Sequence, residues 1–374
     1  MLNAGHFHYC FFESSETFIY NQLKMLQKYR PVAISLISKN LHKKSLKNGS
    51  LYDVGFRLPR SGMQFIQPFR YYALKLAAEL FKREQISLLH AHFGTWGSYV
   101  LPLKRKLKVP MLVTFYGLDV SLLPKKHIWR SRYQKLWAET DLILAEGPFM
   151  ISALAKLGAP PKKLKLQRIG IPIEKLAFTP PSSSSKRLTA LWAGRMVEKK
   201  GLLDAIKAIA LLKQLGADIE LRIVGNGEQK EQAETLVSRI GLTSRVKFLG
   251  FLDYSSYLEE FRSADFFIAP SKTSTYGETE GGAPTTIIEA QARGLPVVAT
   301  KHADIPFILP KGYPYLAQEN NPKSLASTVL RLIEDKKRWN TISRENRSFV
   351  KKYHDISVTI DTLEEYYDSL VKKD

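Results

Sequence analysis

Two carboxylates stand on either side of a glycine pair in the run Glu280-Gly281-Gly282-Ala283-Pro284-Thr285-Thr286-Ile287-Ile288-Glu289. Glycines let a backbone come close to a ligand, and Pro284 suits the first turn of a helix. The spacing predicts a helix from Thr285 to Arg293, stopped by Gly294, with Pro296 leading into a short apolar strand. A glycine-rich loop running into a helix N-terminus offers unspent N–H groups and the positive end of the helix dipole, which suits an anion. Glu289 lies among Ile287, Ile288 and Ala290, too apolar a setting for a solvated face, so a buried and partnered carboxylate is expected. Arg195 and Lys200 follow an apolar strand at 191–193. They bring a bidentate fork and a point charge to the strand end where Rossmann-like sheets bind phosphates. Lys199, one residue earlier, is a weaker candidate. His90 and His92 flank Ala91 at another strand end, where substrate contacts are expected.

Such groups need a scaffold that brings strand ends together. Apolar runs alternate with amphipathic stretches throughout, which indicates βαβ units and mostly parallel sheets. Strands are expected at 6–12, 31–38, 88–90, 111–115 and 142–145, with helices at 18–28, 69–82, 97–106 and 148–157. Pro180-Pro181 and the serines Ser182 to Ser185 then read as a polar linker and domain boundary. A second series follows, with strands at 188–193, 219–224, 246–249, 266–269 and 297–300. Its helices fall at 202–214, 230–240, 255–263 and 285–293, and a helical stretch runs from about 334 to 370. Two doubly wound α/β domains facing a central cleft are therefore expected, 1–180 and 187–345, with 346–374 as a terminal helix.

The chain has 374 residues, 44% hydrophobic and 24% charged, which describes a folded chain long enough for two domains. A single cysteine, Cys10, excludes an internal disulfide and a cysteine-built zinc site, and fits a reducing compartment. No run approaches the roughly 20 apolar residues that cross a bilayer, and no signal peptide opens the sequence, so a cytoplasmic protein is expected. The net charge of +21 is unevenly spread: residues 1–180 hold 28 basic and 10 acidic residues, and the rest hold 28 and 25. Basic clusters at Lys43-Lys44-Lys47, Lys104-Arg105-Lys106-Lys108, Lys125-Lys126 with Arg130 and Arg132, and Lys162-Lys163-Lys165 alternate with Phe65, Phe69, Tyr71, Tyr72, Trp129 and Tyr133. Read as exposed, these aromatics and cations suit an anionic membrane surface. No helix-turn-helix, zinc-finger or RNA-recognition pattern accompanies them, so nucleic acid is not the expected partner.

With these residues in hand, the chain resembles the family-4 (group 1) retaining glycosyltransferases of GT-B fold. Their signature E-G-x-P-x-x-x-x-E-A-x-A-x-G-x-P-V is met by residues 280–297 with one extra residue, so Glu280 and Glu289 are nine apart where eight is usual. Ser15-Glu16-Thr17, His90-Ala91-His92-Phe93-Gly94 and Thr114-Phe115-Tyr116-Gly117-Leu118-Asp119 resemble the exopolysaccharide branch. Gly194-Arg195 through Gly201, Val224-Gly225-Asn226-Gly227 and Phe248 to Phe251 fall in family order. The resemblance implies a sugar moved from a UDP- or GDP-linked donor to a polyprenyl-diphosphate-linked or glycolipid acceptor at the inner face of the membrane, for capsule, exopolysaccharide or lipopolysaccharide. It implies that Arg195 and Lys200 steady the departing diphosphate, that Glu280 faces the sugar and that Glu289 holds the ribose. Gly281, Gly282 and Ala283 would offer amides, and Gly225, Gly227 and Phe251 would line the nucleotide. Ser14, Ser15, Glu16, His90, His92 and Tyr116 would meet the acceptor. The resemblance also implies that the terminal helix in 346–374 returns to the N-terminal domain. Glu278 remains an alternative to Glu280, and Tyr116 stands where the family commonly has histidine. A metal is not expected, since the chain has no Asp-x-Asp motif. A GT-B epimerase or phosphorylase, or a catalytically silent member of the fold, is the competing expectation.

Overall fold

In a computed structural model the residues described are 1–11, 16–37, 46, 48–54, 67–181 and 187–371. Ser14, Ser15, Phe65, the Lys43-Lys44-Lys47 cluster and the serine linker lie outside them. The chain divides into two compact units, Met1–Ile171 with Ile356–Asp374, and Pro172–Asp355.

The first unit opens with β1 (Leu2–His8), α1 (Thr17–Met25), β2 (Tyr29–Ser35), β3 (Ser50–Asp53) and α2 (Gln67–Arg83). It continues through β4 (Ile86–His92), α3 (Gly94–Leu107), β5 (Met111–Phe115), the single turn α4 (Leu118–Ser121) and α5 (His127–Glu139). Strand β6 (Leu142–Ala145), α6 (Pro148–Lys156) and β7 (Leu164–Leu166) complete a seven-stranded sheet of order β3-β2-β1-β4-β5-β6-β7, with every pairing parallel.

Period-two alternation decides what each face of this sheet carries. Leu89, Ala91, Met111, Val113, Phe115, Ile143 and Ala145 turn to the core shared with α2, α3 and α5. Ala4, Leu88, Leu112, Leu142 and Leu144 turn the other way. There they meet Ile356, Ile360, Leu363 and Tyr367 of the last helix, α13 (Ile356–Val371). Further along the strands this second face changes character. Ala4 is followed on it by His6 and His8, Leu88 by His90 and His92, and Leu112 by Thr114 and Tyr116. An apolar floor at the strand starts thus becomes a polar stripe at their carboxyl ends. Glu364 of α13 locks this packing, accepting the N–H groups of Gln27 and Lys28 at 2.7 and 2.6 Å.

The second unit contains β8 (Leu188–Ala193), α7 (Leu202–Gln214), β9 (Ile219–Val224), α8 (Lys230–Arg239), β10 (Val246–Gly250) and α9 (Tyr254–Ser263). Then come β11 (Phe266–Ala269), α10 (Thr285–Arg293), β12 (Val297–Thr300), the two-residue β13 (Leu316–Ala317), α11 (Pro322–Glu334) and α12 (Trp339–His354). Its parallel sheet runs β10-β9-β8-β11-β12-β13. Both units are doubly wound α/β layers, as expected.

The structure corrects one reading of the surface. Trp129 and Tyr133 are 9% and 1% exposed, because Trp129, Tyr133, Leu136 and Trp137 fall on one face of α5 and pack into the core. Tyr71 and Tyr72 of α2 are exposed. Within the basic clusters, Lys104 is paired with Asp141 at 2.9 Å and Arg105 with Glu139 at 2.5 Å, so an adjacent acid offsets each of these two charges.

Candidate active site

In the second unit the signature residues gather at the carboxyl ends of β8, β9, β11 and β12. Helix α10 begins after Pro284 and ends at Gly294, whose φ of 93° is the left-handed stop the sequence predicts. The N–H groups of Gly281, Gly282 and Ala283 make no backbone hydrogen bond among the described residues, leaving donors at its entrance. Glu280 is buried. Its Oε1 lies 2.7 Å from the Lys200 ammonium and accepts the Ser271 hydroxyl at 2.8 Å. Burial alone would raise this carboxyl, but Lys200 and Lys199 beside it, with the Ser271 hydrogen bond, bring it down to about 2. Glu280 is therefore an ionised, oriented group at neutral pH. Glu278 is bound elsewhere, to Lys199 at 2.7 Å. The two neighbouring lysines thus take two neighbouring acids, with Lys199 on Glu278 and Lys200 on Glu280.

Arg195 is exposed and its guanidinium makes no hydrogen bond or ion pair among the described residues. It stands in the loop after β8 as an available cation. The glycines at 225 and 227 explain how this loop is held. A side chain on Gly225 would meet the Gly194 carbonyl oxygen at 1.9 Å, and one on Gly227 would meet the Met196 backbone at 2.6 Å. Their absence lets Gly194 donate to Val224 and Met196 to Asn226, at 3.0 and 2.9 Å. The loops after β8 and β9 are closed on each other, which positions Arg195. Phe251, directly after β10, is 76% exposed.

Glu289 is half-buried on α10, and its Oε2 accepts the Tyr257 hydroxyl at 2.6 Å. Burial pushes its pKa up to about 7, against the pull of that hydroxyl and of Arg293. Tyr257 is a partner that sequence reasoning missed, because α9 and α10 are brought together only by the fold. Two further groups missed in the same way are His302 and Glu319, just past β12 and β13. His302 accepts the Glu280 N–H through Nε2 at 3.0 Å and faces Glu319 through Nδ1 at 2.6 Å.

In the first unit, Glu16 meets His8 at 2.8 Å just before α1. Tyr116 bonds His92 Nδ1 at 2.8 Å, and His92 Nε2 faces His6 Nδ1 at 3.2 Å. His90 is bound at both ring nitrogens, by Tyr367 at 2.7 Å and Thr114 at 2.8 Å. His6, His90 and His92 bring one ligand atom each to within 4.8 Å of one another. Sequence reasoning paired only the latter two, although the alternating histidines of β1 carry the same signal. All three rings are buried. Burial lowers His6 to about 3 and, with the neighbouring rings, holds His90 and His92 well below the usual histidine range. They are neutral at physiological pH and poor proton acceptors. The group on this strand end that is partly exposed is Tyr116, and burial with Glu146 pushes its phenol well above 10. Asp119 supports the corner. Fully buried, it accepts the N–H groups of Gly94 at 2.8, Gly117 at 2.8 and Tyr116 at 3.1 Å.

No helix of the described residues is long and apolar enough to cross a membrane.

Comparison with known proteins gives two adjoining family matches, "Glycosyltransferase Family 4" over residues 15–175 and "Glycosyl transferases group 1" over 176–349. The amylovoran biosynthesis glycosyltransferase AmsK of Erwinia amylovora is 34% identical over 248 residues, covering 64% of this chain and 60% of that protein. The putative colanic acid biosynthesis glycosyltransferase WcaL of Escherichia coli is 30% identical over 242 residues, covering 64% and 59%. The match thus spans about three fifths of the length of these curated relatives. Among solved structures, Anabaena Alr3699/HepE in complex with UDP and glucose shares the fold with a TM-score of 0.80, at 19% identity, over 99% of this chain and all of that one.

Proposed function

We propose, for a chain that belongs to the group 1 and family 4 glycosyltransferases of GT-B fold, that it transfers a sugar from a nucleotide donor to a cell-surface glycan precursor with retention and without a catalytic metal. The observation that carries this reading is the Lys200–Glu280 pair beside the available Arg195, at the entrance of α10 with its unspent N–H groups. Cleavage of a sugar nucleotide concentrates negative charge on the leaving diphosphate. Fixed cations and amides lower that barrier without reorganising, and each such donor contributes roughly 10²-fold or more in rate. Arg195 and Lys200 fill this role. The ionised Glu280 faces the sugar as it gains positive charge, and Glu289 accepts the ribose hydroxyls.

The first unit receives the acceptor. Its neutral, buried histidines give no strong base, and the high-pKa Tyr116 phenol is suited to orienting a hydroxyl by hydrogen bonding. The acceptor's proton then passes to the departing phosphate oxygen, which favours retention. The acceptor class is a polyprenyl-diphosphate-linked or glycolipid oligosaccharide. Two features support it: the first half's charge excess, and the kinship with proteins named for amylovoran and colanic acid synthesis. A protein so charged sits in the cytoplasm against the anionic inner face of the membrane. The test is a screen of nucleotide sugars for thermal stabilisation, followed by transfer to a lipid-linked acceptor. A ligand that binds only the folded state raises the melting temperature. Failure of every UDP- and GDP-sugar to do so, with no transfer, refutes the assignment.

A further inference from the structure

We infer that His302 and Glu319 are positioning residues for Glu280, a locked imidazole–carboxylate pair that holds both ends of the 273–280 segment over Lys200. The inference rests on the donor-site reading above and extends it to residues with no part in the signature.

The geometry fixes the protonation state of the ring. A backbone N–H, that of Glu280, points at His302 Nε2 at 3.0 Å, so that nitrogen must present its lone pair. The ring proton is therefore on Nδ1, where Glu319 Oε2 accepts it at 2.6 Å. The same Oε2 accepts the Thr273 N–H at 2.8 Å. One carboxylate oxygen thus holds Thr273 directly and Glu280 through the ring. Between these points, Ser274 N–H donates to the Glu278 carbonyl at 2.9 Å and Thr275 N–H donates to Glu198 at 2.9 Å. The floor is tied as well, because Ser271, which donates to Glu280, has its carbonyl held by the Thr300 hydroxyl.

His302 is buried and hydrogen-bonds Glu280 at its main-chain N–H. Its effect on chemistry must pass through the placement of the Glu280 carboxylate. The ring suits this task because the negative Glu319 makes Nε2 a better acceptor, an orienting arrangement familiar around metal-bound histidines. A second hydrogen-bonding side chain of the right reach can replace it, whereas an apolar ring of similar size cannot.

The full-length protein is compared as wild type, His302→Phe, His302→Gln and Glu319→Ala. Misplacement of a reacting group by about 1 Å costs up to about 100-fold. His302→Phe and Glu319→Ala should therefore lower kcat by about 10- to 100-fold, with the affinity for free nucleotide within about threefold of wild type. His302→Gln, whose amide can accept from Glu280 and donate to Glu319, should restore most of kcat. Amide hydrogen exchange across residues 273–282 reads the pin without any substrate. It should quicken in His302→Phe and return towards wild type in His302→Gln. A His302→Phe protein with unchanged kcat overturns the inference. So does equal loss of kcat, nucleotide affinity and melting temperature in both His302 variants, which is the pattern of a merely structural residue. If the wild type neither binds nucleotide nor transfers sugar, the donor-site reading fails on its own, and the exchange data still judge the pin.

Discussion

Nucleotide binding should depend on one proton at Glu289. The carboxyl is half-buried on α10 with a pKa of about 7, raised by burial and held back by the Tyr257 hydroxyl and Arg293. Only the ionised form accepts from both hydroxyls of a ribose. With a pKa of about 7, roughly ten-elevenths of the protein is ionised at pH 8 and roughly one-eleventh at pH 6. Affinity should fall about tenfold over that interval, or ~1.4 kcal/mol. Titration calorimetry with the nucleotide that best stabilises the protein measures this at both pH values. Glu289→Gln, titrated in parallel, removes the contribution of the diphosphate's own protons. Tyr257→Phe deletes a hydrogen bond that favours the charged carboxylate, so its midpoint should move to higher pH. Stability carries the opposite sign. The folded pKa lies above the ordinary 4.5, so the native state holds this proton more tightly than the unfolded chain. That contribution is complete below about pH 4.5 and is lost as pH rises through about 7. Glu289→Gln should therefore melt above wild type at pH 8, with the gap closing at pH 5. A wild-type affinity that changes no more than that of Glu289→Gln between pH 6 and 8 refutes the reasoning.

Arg195→Ala and Lys200→Ala should each lower turnover by about 10² or more, and activity should survive EDTA. Only Lys200→Ala should also lower the melting temperature, since it strips the buried Glu280 of its cation; loss of activity in EDTA with rescue by Mg²⁺ counts against the metal-free mechanism. Glu280→Gln should reduce kcat far more than Glu278→Gln, and the reverse order in steady-state kinetics shows that the wrong acid faces the sugar. Asp119→Ala removes a buried acceptor of three N–H groups and should cost at least about 3 kcal/mol in denaturant unfolding, with Asp119→Asn intermediate. Lys106 and Lys108 are exposed and make no ion pair among the described residues, so Lys106→Glu with Lys108→Glu should release the protein from anionic vesicles in sedimentation. Equal binding to neutral vesicles, or a preference for RNA, contradicts the electrostatic account.

The strands at 111–115, 142–145, 188–193, 266–269 and 297–300 were legible because each is a short, mainly apolar run buried on both faces and bounded by turn residues. So were helices 202–214 and 285–293, with glycines at their ends. The edge strands β3, β7 and β13 are four, three and two residues long, too short for a period to show, and left no such trace. Helix α5 was missed because its charges and aromatics were read as one surface. The spacing of Trp129, Tyr133, Leu136 and Trp137 sorts them into a buried face and a solvated one. Within the candidate site, residues in the signature could be named because they are neighbours in sequence. Tyr257, His302 and Glu319 could not, since each reaches its partner across strands or helices that only the folded sheet brings together.

The return of α13 to the first sheet has a consequence for the order of events during synthesis. Residues 172–355 form a contiguous unit that can fold as soon as it leaves the ribosome, while the first unit lacks α13 until residues 356–371 have been made. At about 5–20 residues per second, the 200 residues after Ile171 take roughly 10–40 s. Throughout that delay the floor of Ala4, Leu88, Leu112, Leu142 and Leu144 lacks Ile356, Ile360, Leu363 and Tyr367, and only Leu26 and Tyr29 of the residues already made share its cluster. The N-terminal unit is thus the last to be finished, and its bare face is where chaperones should engage the nascent chain. A 1–355 fragment whose first unit still melts cooperatively at the full-length temperature would refute this order.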